Sequence, residues 1–312
     1  MVDQLSPPNV CRMCGASLNP NRVSTESTDA LCDMCIQNRA VSWNSTETPA
    51  TVAPYQYQQY EENQPDPDRP EWGPLAGIGM WVFSTAAIIF IPAIALVAWI
   101  FLDKARGIEP PPGIADGEIP PTYLLVGIYS TLIAHLVTLG FCWAMVTKLK
   151  TRPFLKSLGW DWAGRSGLYW FLISIGIIIS IIAADQFFIK VLPQKETSFD
   201  KVLQSSQHVR LAVALLAVIS APFIEELIYR GVLYGGLRKR FGTVATVIGV
   251  TLLFASVHVP QYYGAWASMA GLTMLSLILT VVRAKTKSIL PCVMIHFVNN
   301  LFFSILIVLN KA

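Results

Sequence analysis

The chain has 312 residues, 53% of them hydrophobic and only 14% charged, with a mean hydropathy of +0.49. Ordinary globular domains carry about a quarter charged residues, so this balance belongs to a polytopic membrane protein and speaks against a soluble globular one. The net charge of +3 is too small to argue for a nucleic-acid partner, and none is expected.

The N-terminal region is the polar exception. Residues 11–35 read CRMCGASLNPNRVSTESTDALCDMC, with two Cys-x-x-Cys pairs, Cys11 with Cys14 and Cys32 with Cys35, standing 17 residues apart. That spacing suits a four-cysteine zinc site, in which each pair offers two thiolates from one tight turn. Two disulfides or a duplicated redox pair are the alternatives. A segment this short has almost no core, so bound metal would supply its folding energy. A zinc ribbon-like module is therefore expected over 1–40, of a kind that recruits a protein partner more often than it catalyses. No charged-then-apolar leader precedes it, so no signal peptide is expected. Residues 41–75 follow as a flexible linker, rich in Pro, Gln, Thr and acids over 41–70.

From residue 77 apolar runs dominate. Seven candidate spans stand at 77–101, 122–146, 167–190, 211–236, 243–259, 266–282 and 288–309, most of them long enough to cross about 30 Å of hydrocarbon as a helix. The fifth and sixth are short. Trp81, Trp99, Trp160, Trp162 and Trp170 cluster near span ends, as interfacial aromatics do. Lys148, Lys150, Arg152, Lys156 and Arg165 share one parity with Arg238, Lys239, Arg240, Arg283, Lys285 and Lys287, which should be the cytoplasmic side. The N-terminus then lies in the cytoplasm, where reduced thiols favour zinc over disulfides. Cys142 and Cys292, in apolar runs, read as small buried hydrophobes.

Residues 221–236, APFIEELIYRGVLYGG, place three charges in an apolar setting. A charged side chain at a bilayer centre costs roughly 2.5–3.5 kcal/mol, so Glu225, Glu226 and Arg230 need a reason to be there. Glu226 and Arg230 are four apart and should form a local ion pair. Glu225 projects about 100° away, which leaves it free for proton transfer. Pro222 frees a backbone carbonyl one turn earlier, and Gly231 with Gly235 forms a small-xxx-small surface for close helix packing. His258 follows Phe254 by one turn in LLFASVHVP, and His296 precedes Asn300 by one turn in VMIHFVNNLFF. Counted from the basic ends at about 1.5 Å per residue, Glu225, His258 and His296 lie about 18, 23 and 13 Å deep, near one level. One Glu and two His can hold a divalent metal, or can position and deprotonate a water without one. Either chemistry is hydrolysis inside the membrane. His135, a lone intramembrane histidine, is expected to bond between helices instead.

The ordered set Glu225-Glu226-x-x-x-Arg230, Phe254-x-x-x-His258 and His296-x-x-x-Asn300, each on an apolar segment, resembles the motifs of the CPBP family. These are CAAX prenyl endopeptidases and bacteriocin-processing or self-immunity enzymes, also called ABI intramembrane proteases. The resemblance covers about 211–309, roughly a third of the chain. It implies an all-helical membrane bundle whose cavity is reached from the cytoplasm and the membrane, and an endopeptidase acting on a membrane-associated protein or peptide. It implies that Glu225 activates water together with His258, and that His296 and Asn300 hold the water or stabilise the oxyanion. Glu226, Arg230 and Phe254 then support Glu225 or engage substrate. Whether catalysis depends on glutamate alone or on a zinc-type metal stays open.

The fold expected is thus an all-α membrane protein, a polytopic bundle of seven transmembrane helices, or eight as in eukaryotic members, preceded by the ribbon. Accessory helices span 76–210 and the catalytic core 211–309. Family relatives in bacteria lack prenylation, so the substrate class does not transfer, and the bacterial cytoplasmic membrane, with its lipids as neighbours, is the expected location. A second reading is a non-proteolytic scaffold or immunity protein on the same fold. A third is a proton-coupled transporter, against which the lack of an inverted repeat counts.

Overall fold

The computed structural model describes residues 65–109 and 119–309. The zinc ribbon expected over 1–40, its four cysteines, and the linker up to residue 64 lie outside the described residues. Among the described residues all regular structure is helical.

The chain runs through α1 (Pro74–Ala105), α2 (Pro121–Thr147), the short α3 (Phe154–Ser157), α4 (Gly167–Val191) and α5 (Ser198–Ser205). Prolines in the first turn open α1 and α2, where a missing N–H costs nothing. The Ser166 side chain caps α4 by accepting from the Tyr169 amide, and a Thr197–Asp200 capping box opens α5. A broken helix follows: α6 (Gln207–Leu215), a π turn (Leu216–Ser220), α7 (Ala221–Glu226), a second π turn (Leu227–Leu233) and α8 (Tyr234–Tyr262). Two further helices, α9 (Trp266–Thr286) and α10 (Leu290–Leu309), complete the bundle.

Among the described residues six helices are long and apolar enough to cross a membrane, and the fourth of these is the 56-residue run Gln207–Tyr262. A straight helix of that length would reach about 84 Å, far beyond any bilayer. It is not straight. Gly242 adopts φ 76°, ψ 177°, a conformation open to glycine and closed to side chains. The rings of Tyr229 and Phe254 stand 4.9 Å apart, where a straight helix would separate them by about 38 Å. The chain therefore reverses at Gly242, and the two arms coincide with the separate spans expected at 211–236 and 243–259.

The basic loops of one parity meet at one end of the bundle. Lys148 and Arg152 both engage Glu71, and the Arg152 guanidinium, with Lys148 behind it, holds that carboxyl below the usual glutamate range. Arg283 Nη1 donates to Asp68 Oδ1 at 2.7 Å, and Ser288 Oγ donates to Asp161 at 2.6 Å. At the opposite end the Trp266 amide donates to the Pro193 carbonyl at 3.2 Å and Phe199 packs edge-on against Tyr262.

Three expectations are corrected here. Residues 65–75 are not linker: Trp72 Nε1 donates to the Val232 carbonyl at 2.9 Å, and the Pro67 carbonyl accepts from Arg283 Nη2 at 3.0 Å. Gly231 and Gly235 do not receive another helix. A Cβ on Gly231 would meet Leu158 at 3.0 Å, and one on Gly235 would meet the Pro67 carbonyl at 3.1 Å. The Leu158 side chain and the turn at Pro67 fill the shallow groove that these small residues leave. Trp81 is no interfacial anchor, since its indole N–H donates to the Tyr229 hydroxyl inside the bundle. Cys142 and Cys292 are free and buried, as small hydrophobes.

Candidate active site

The site is built around the two π turns. The Ala221 amide reaches back five residues to the Leu216 carbonyl. The next carbonyl, that of Ala217, would need the amide of Pro222, which carries no hydrogen. Asn300 supplies the missing donor, its Nδ2 lying 2.9 Å from the Ala217 carbonyl, while its Oδ1 accepts from Asn299. Asn300 thus fastens α10 to the first π turn. Turns of this kind admit an extra residue and often mark functional places in helices.

Below it, Glu226 and Arg230 form the ion pair that their spacing implies, at 2.8 Å with both side chains wholly buried. Arg230 also donates from Nε to Thr280 Oγ1, and from Nη2 to the Ser276 carbonyl and hydroxyl at 3.0 and 2.8 Å. Its guanidinium lies 4.9 Å from the Phe254 ring centre, a cation–π contact in a dry setting. A buried charge survives only when its hydrogen-bonding capacity is met, and four of the five guanidinium N–H groups have acceptors here.

His296 links this pair to the second glutamate. Its Nδ1 stands 2.8 Å from Glu226 Oε1, and its Nε2 faces Glu225 Oε2 at 3.8 Å. The Glu226 carboxylate, already held by Arg230, acts as acceptor, so Nδ1 of His296 carries the hydrogen and Nε2 presents a lone pair. His258 is set the same way: its Nδ1 lies 2.8 Å from the Phe254 carbonyl, which can only accept. Its Nε2 is likewise left as an acceptor. Glu226 is fully buried, whereas the Glu225 side chain keeps 20% exposure and has no hydrogen-bond partner among the described residues.

Phe254 organises the ring groups, with centroids 4.9 Å from Tyr229, 4.8 Å from His258 and 6.2 Å from His296. Tyr229, four residues after Glu225, accepts from Trp81 and keeps its own O–H to donate. Both Tyr229 and His135 lie within electrostatic reach of Glu225. His135 bonds across to Ser220 Oγ at 2.9 Å, joining α2 to the first π turn. An apolar cavity of about 240 Å³ is lined in part by Pro222, Phe223, Val293 and Phe297, and none of the expected site residues lines it.

The expected residues fall into two groups. Glu225, Glu226, Arg230 and His296 form one continuous chain of contacts, and Phe254 packs the His258 ring against it. Asn300 is engaged with backbone rather than with a carboxylate. Among the described residues no three His, Cys, Asp or Glu side chains gather closely enough to hold a metal ion, so this donor set does not form a metal centre as arranged. Sequence reasoning missed Ser276, Thr280 and Arg283. Arg283 is fully buried and donates from Nε to the Arg230 carbonyl at 3.0 Å.

Residues 207–302 match the family model described as type II CAAX prenyl endopeptidase Rce1-like. The Rce1-like segment begins with α6, ends within α10, and contains every motif residue from Glu225 to Asn300. Together with six membrane-capable helices, the match fits an integral membrane protein and points to a CAAX-type protease. No curated protein and no solved structure matches the chain.

Proposed function

We propose that this protein is an intramembrane endopeptidase that hydrolyses a peptide bond in a membrane-associated protein or peptide. The observation that carries the reading is the position of His296, bonded to buried Glu226 on one nitrogen and facing Glu225 across 3.8 Å on the other. That gap is too long for a hydrogen bond and short enough for one water to bridge.

A water there gives one hydrogen to the Glu225 carboxylate and one to the His296 Nε2 lone pair, which turns its own lone pairs outward. As its oxygen attacks the scissile carbonyl carbon, one proton passes to Glu225. When the C–N bond breaks, that proton passes to the departing nitrogen, and the water's second proton, left on the new carboxyl group, passes by way of His296 Nε2 to the amine, leaving a carboxylate and an ammonium terminus. Both histidines are held as acceptors at Nε2, so the donor to the developing oxyanion has to come from elsewhere. Tyr229, braced by Trp81, is the hydroxyl available. Glu226 and Arg230 orient His296, and Phe254 packs the His258 ring beside them. The pairing of Glu225 with His296 departs from the resemblance, which joins Glu225 to His258.

The same reading includes a zinc ribbon of Cys11, Cys14, Cys32 and Cys35 that recruits a cytoplasmic protein partner, with the N-terminus on the cytoplasmic face of a bacterial membrane. Metal analysis of the purified chain tests the ribbon: Cys11→Ser with Cys14→Ser should lower bound zinc by one ion per chain. The decisive test of proteolysis compares peptide termini in membranes of native cells and of cells carrying Glu225→Gln. A precursor should accumulate in the variant while its cleaved terminus disappears. Identical termini, with the variant present at normal level, would instead support a non-proteolytic scaffold.

A further inference from the structure

The basic end of the bundle holds a second cavity, of about 420 Å³, that the proposed chemistry does not use. It is lined by Arg69, Arg238, Lys239 and Lys287 together with Asp66 and Asp68. We propose that this cavity is a binding site for an anion carrying a phosphomonoester group.

Charge is the first argument. Of the two carboxylates, Asp68 is already matched by buried Arg283 at 2.7 Å, so the four cations face a surplus of three positive charges. None of the four makes an ion pair among the described residues. A phosphomonoester carries roughly −1.5 to −2 at neutral pH and presents three acceptor oxygens, which answers that surplus better than a single carboxylate or phosphodiester.

Geometry is the second. Arg238 is only partly exposed, and its Nε is buried with no acceptor among the described residues. The Tyr234 hydroxyl lies beside this guanidinium on the inner side, and Arg238 lines the cavity on the other. A guanidinium fork matches phosphate oxygens in pairs. The backbone that carries two of these cations, Arg69 and Lys287, is also fixed. Residues 66–69 form a turn, with the Arg69 amide on the Asp66 carbonyl at 3.0 Å and the Asp68 amide on Asp66 Oδ1 at 2.9 Å. Lys287 sits at φ 59°, in the left-handed backbone that closes α9. The volume lies in the usual range for small-molecule sites, about 300–1,000 Å³, and exceeds what phosphate alone would fill.

The phosphate could belong to a soluble metabolite or to a lipid headgroup, since the cavity lies at a membrane end. Both are tested on the full-length protein in nanodiscs. Titration with inorganic phosphate probes the soluble source, and nanodiscs with phosphatidic acid in place of phosphatidylcholine probe the lipid. Saturable binding is expected in at least one arm. It should weaken at least tenfold in Arg238→Gln with Lys287→Gln, and stay unchanged in Lys285→Gln, an exposed cation just outside the cavity. Thermal unfolding checks that the double variant folds, and Arg69→Gln with Lys239→Gln serves as a second test. No saturable binding in either arm would overturn the proposal. So would an equal loss in Lys285→Gln, which would mean diffuse charge at a membrane end rather than a site.

Discussion

Arg283 and Arg230 lie 53 residues apart, yet the Nε of one donates to the backbone carbonyl of the other at 3.0 Å with both side chains fully buried. The two arginines can share a dry interior because each has its own counter-ion, Asp68 for Arg283 and Glu226 for Arg230. The result is one continuous line of contacts from the turn at Asp68, through Arg283, Arg230 and Glu226, to His296 and Glu225.

The outer link of that line is the most accessible to test. Asp68→Asn leaves buried Arg283 with an uncompensated charge, while the Pro67 and Arg230 carbonyls still accept from it. Breaking a buried pair costs about 3–5 kcal/mol, and the partial exposure of Asp68 brings the expected loss to about 2–3 kcal/mol. Thermal unfolding in detergent should register it clearly. An unchanged melting temperature would mean that residues 65–70 are not docked on Arg283.

The two adjacent glutamates should separate cleanly. Glu226→Gln removes the one carboxylate paired with wholly buried Arg230 among the described residues and should destabilise the fold by about 3–5 kcal/mol. Glu225→Gln touches a partly exposed side chain with no ion pair closer than 3.8 Å. It should shift stability by less than about 1 kcal/mol while abolishing cleavage. Melting curves and peptide termini measured on both variants decide the matter. Stability losses of equal size would argue that Glu225 too is structural.

Much of this arrangement was legible in the chain because charge in an apolar run is conspicuous. Glu225, Glu226, Arg230, His258 and His296 announce themselves, and the i,i+4 spacing of Glu226 and Arg230 predicts their pairing. Arg283 did not stand out, since a cation at the end of a span reads as a membrane-side residue whether it faces water or turns inward. Ser276 and Thr280 are mildly polar residues of a kind any membrane helix carries, and nothing local marks them as acceptors for an arginine 46 and 50 residues away. The docking of residues 65–73 was hidden for another reason. Their composition is that of a linker, and what holds them is the Pro67 carbonyl, the Asp68 and Glu71 carboxylates and the Trp72 indole meeting groups from distant segments.

The π turn beneath Pro222 supplies a third prediction. Asn300→Ala removes the donor to the Ala217 carbonyl, and no amide can replace it because residue 222 is proline. An orphaned buried carbonyl costs about 1–3 kcal/mol. Asn300→Asp should be worse, since it sets an acceptor against an acceptor. Hydrogen exchange over 216–221 should quicken in both variants, more in the second. Unchanged protection would show that the turn holds itself without α10.

Tyr229 is the sharpest test of the chemistry, because its two neighbours predict different outcomes. If the hydroxyl only braces Trp81, Tyr229→Phe removes one hydrogen bond worth about 1 kcal/mol, and turnover should be nearly unchanged. If it donates to the oxyanion, the ring stays in place against Phe254 while the transition state loses a donor, and kcat should fall by about 10²–10³ with KM little altered. Trp81→Phe separates the two roles further. It loosens the hydroxyl without deleting it, so its effect on kcat should be the smaller of the two. The measurement is steady-state cleavage of the substrate that the comparison of termini identifies, made beside melting curves for each variant. The order Tyr229→Phe well below Trp81→Phe, at matched stability, places the hydroxyl on the reacting carbonyl. The reverse order would return Tyr229 to the packing around Phe254, and the search for the oxyanion donor to the second N–H of Asn300.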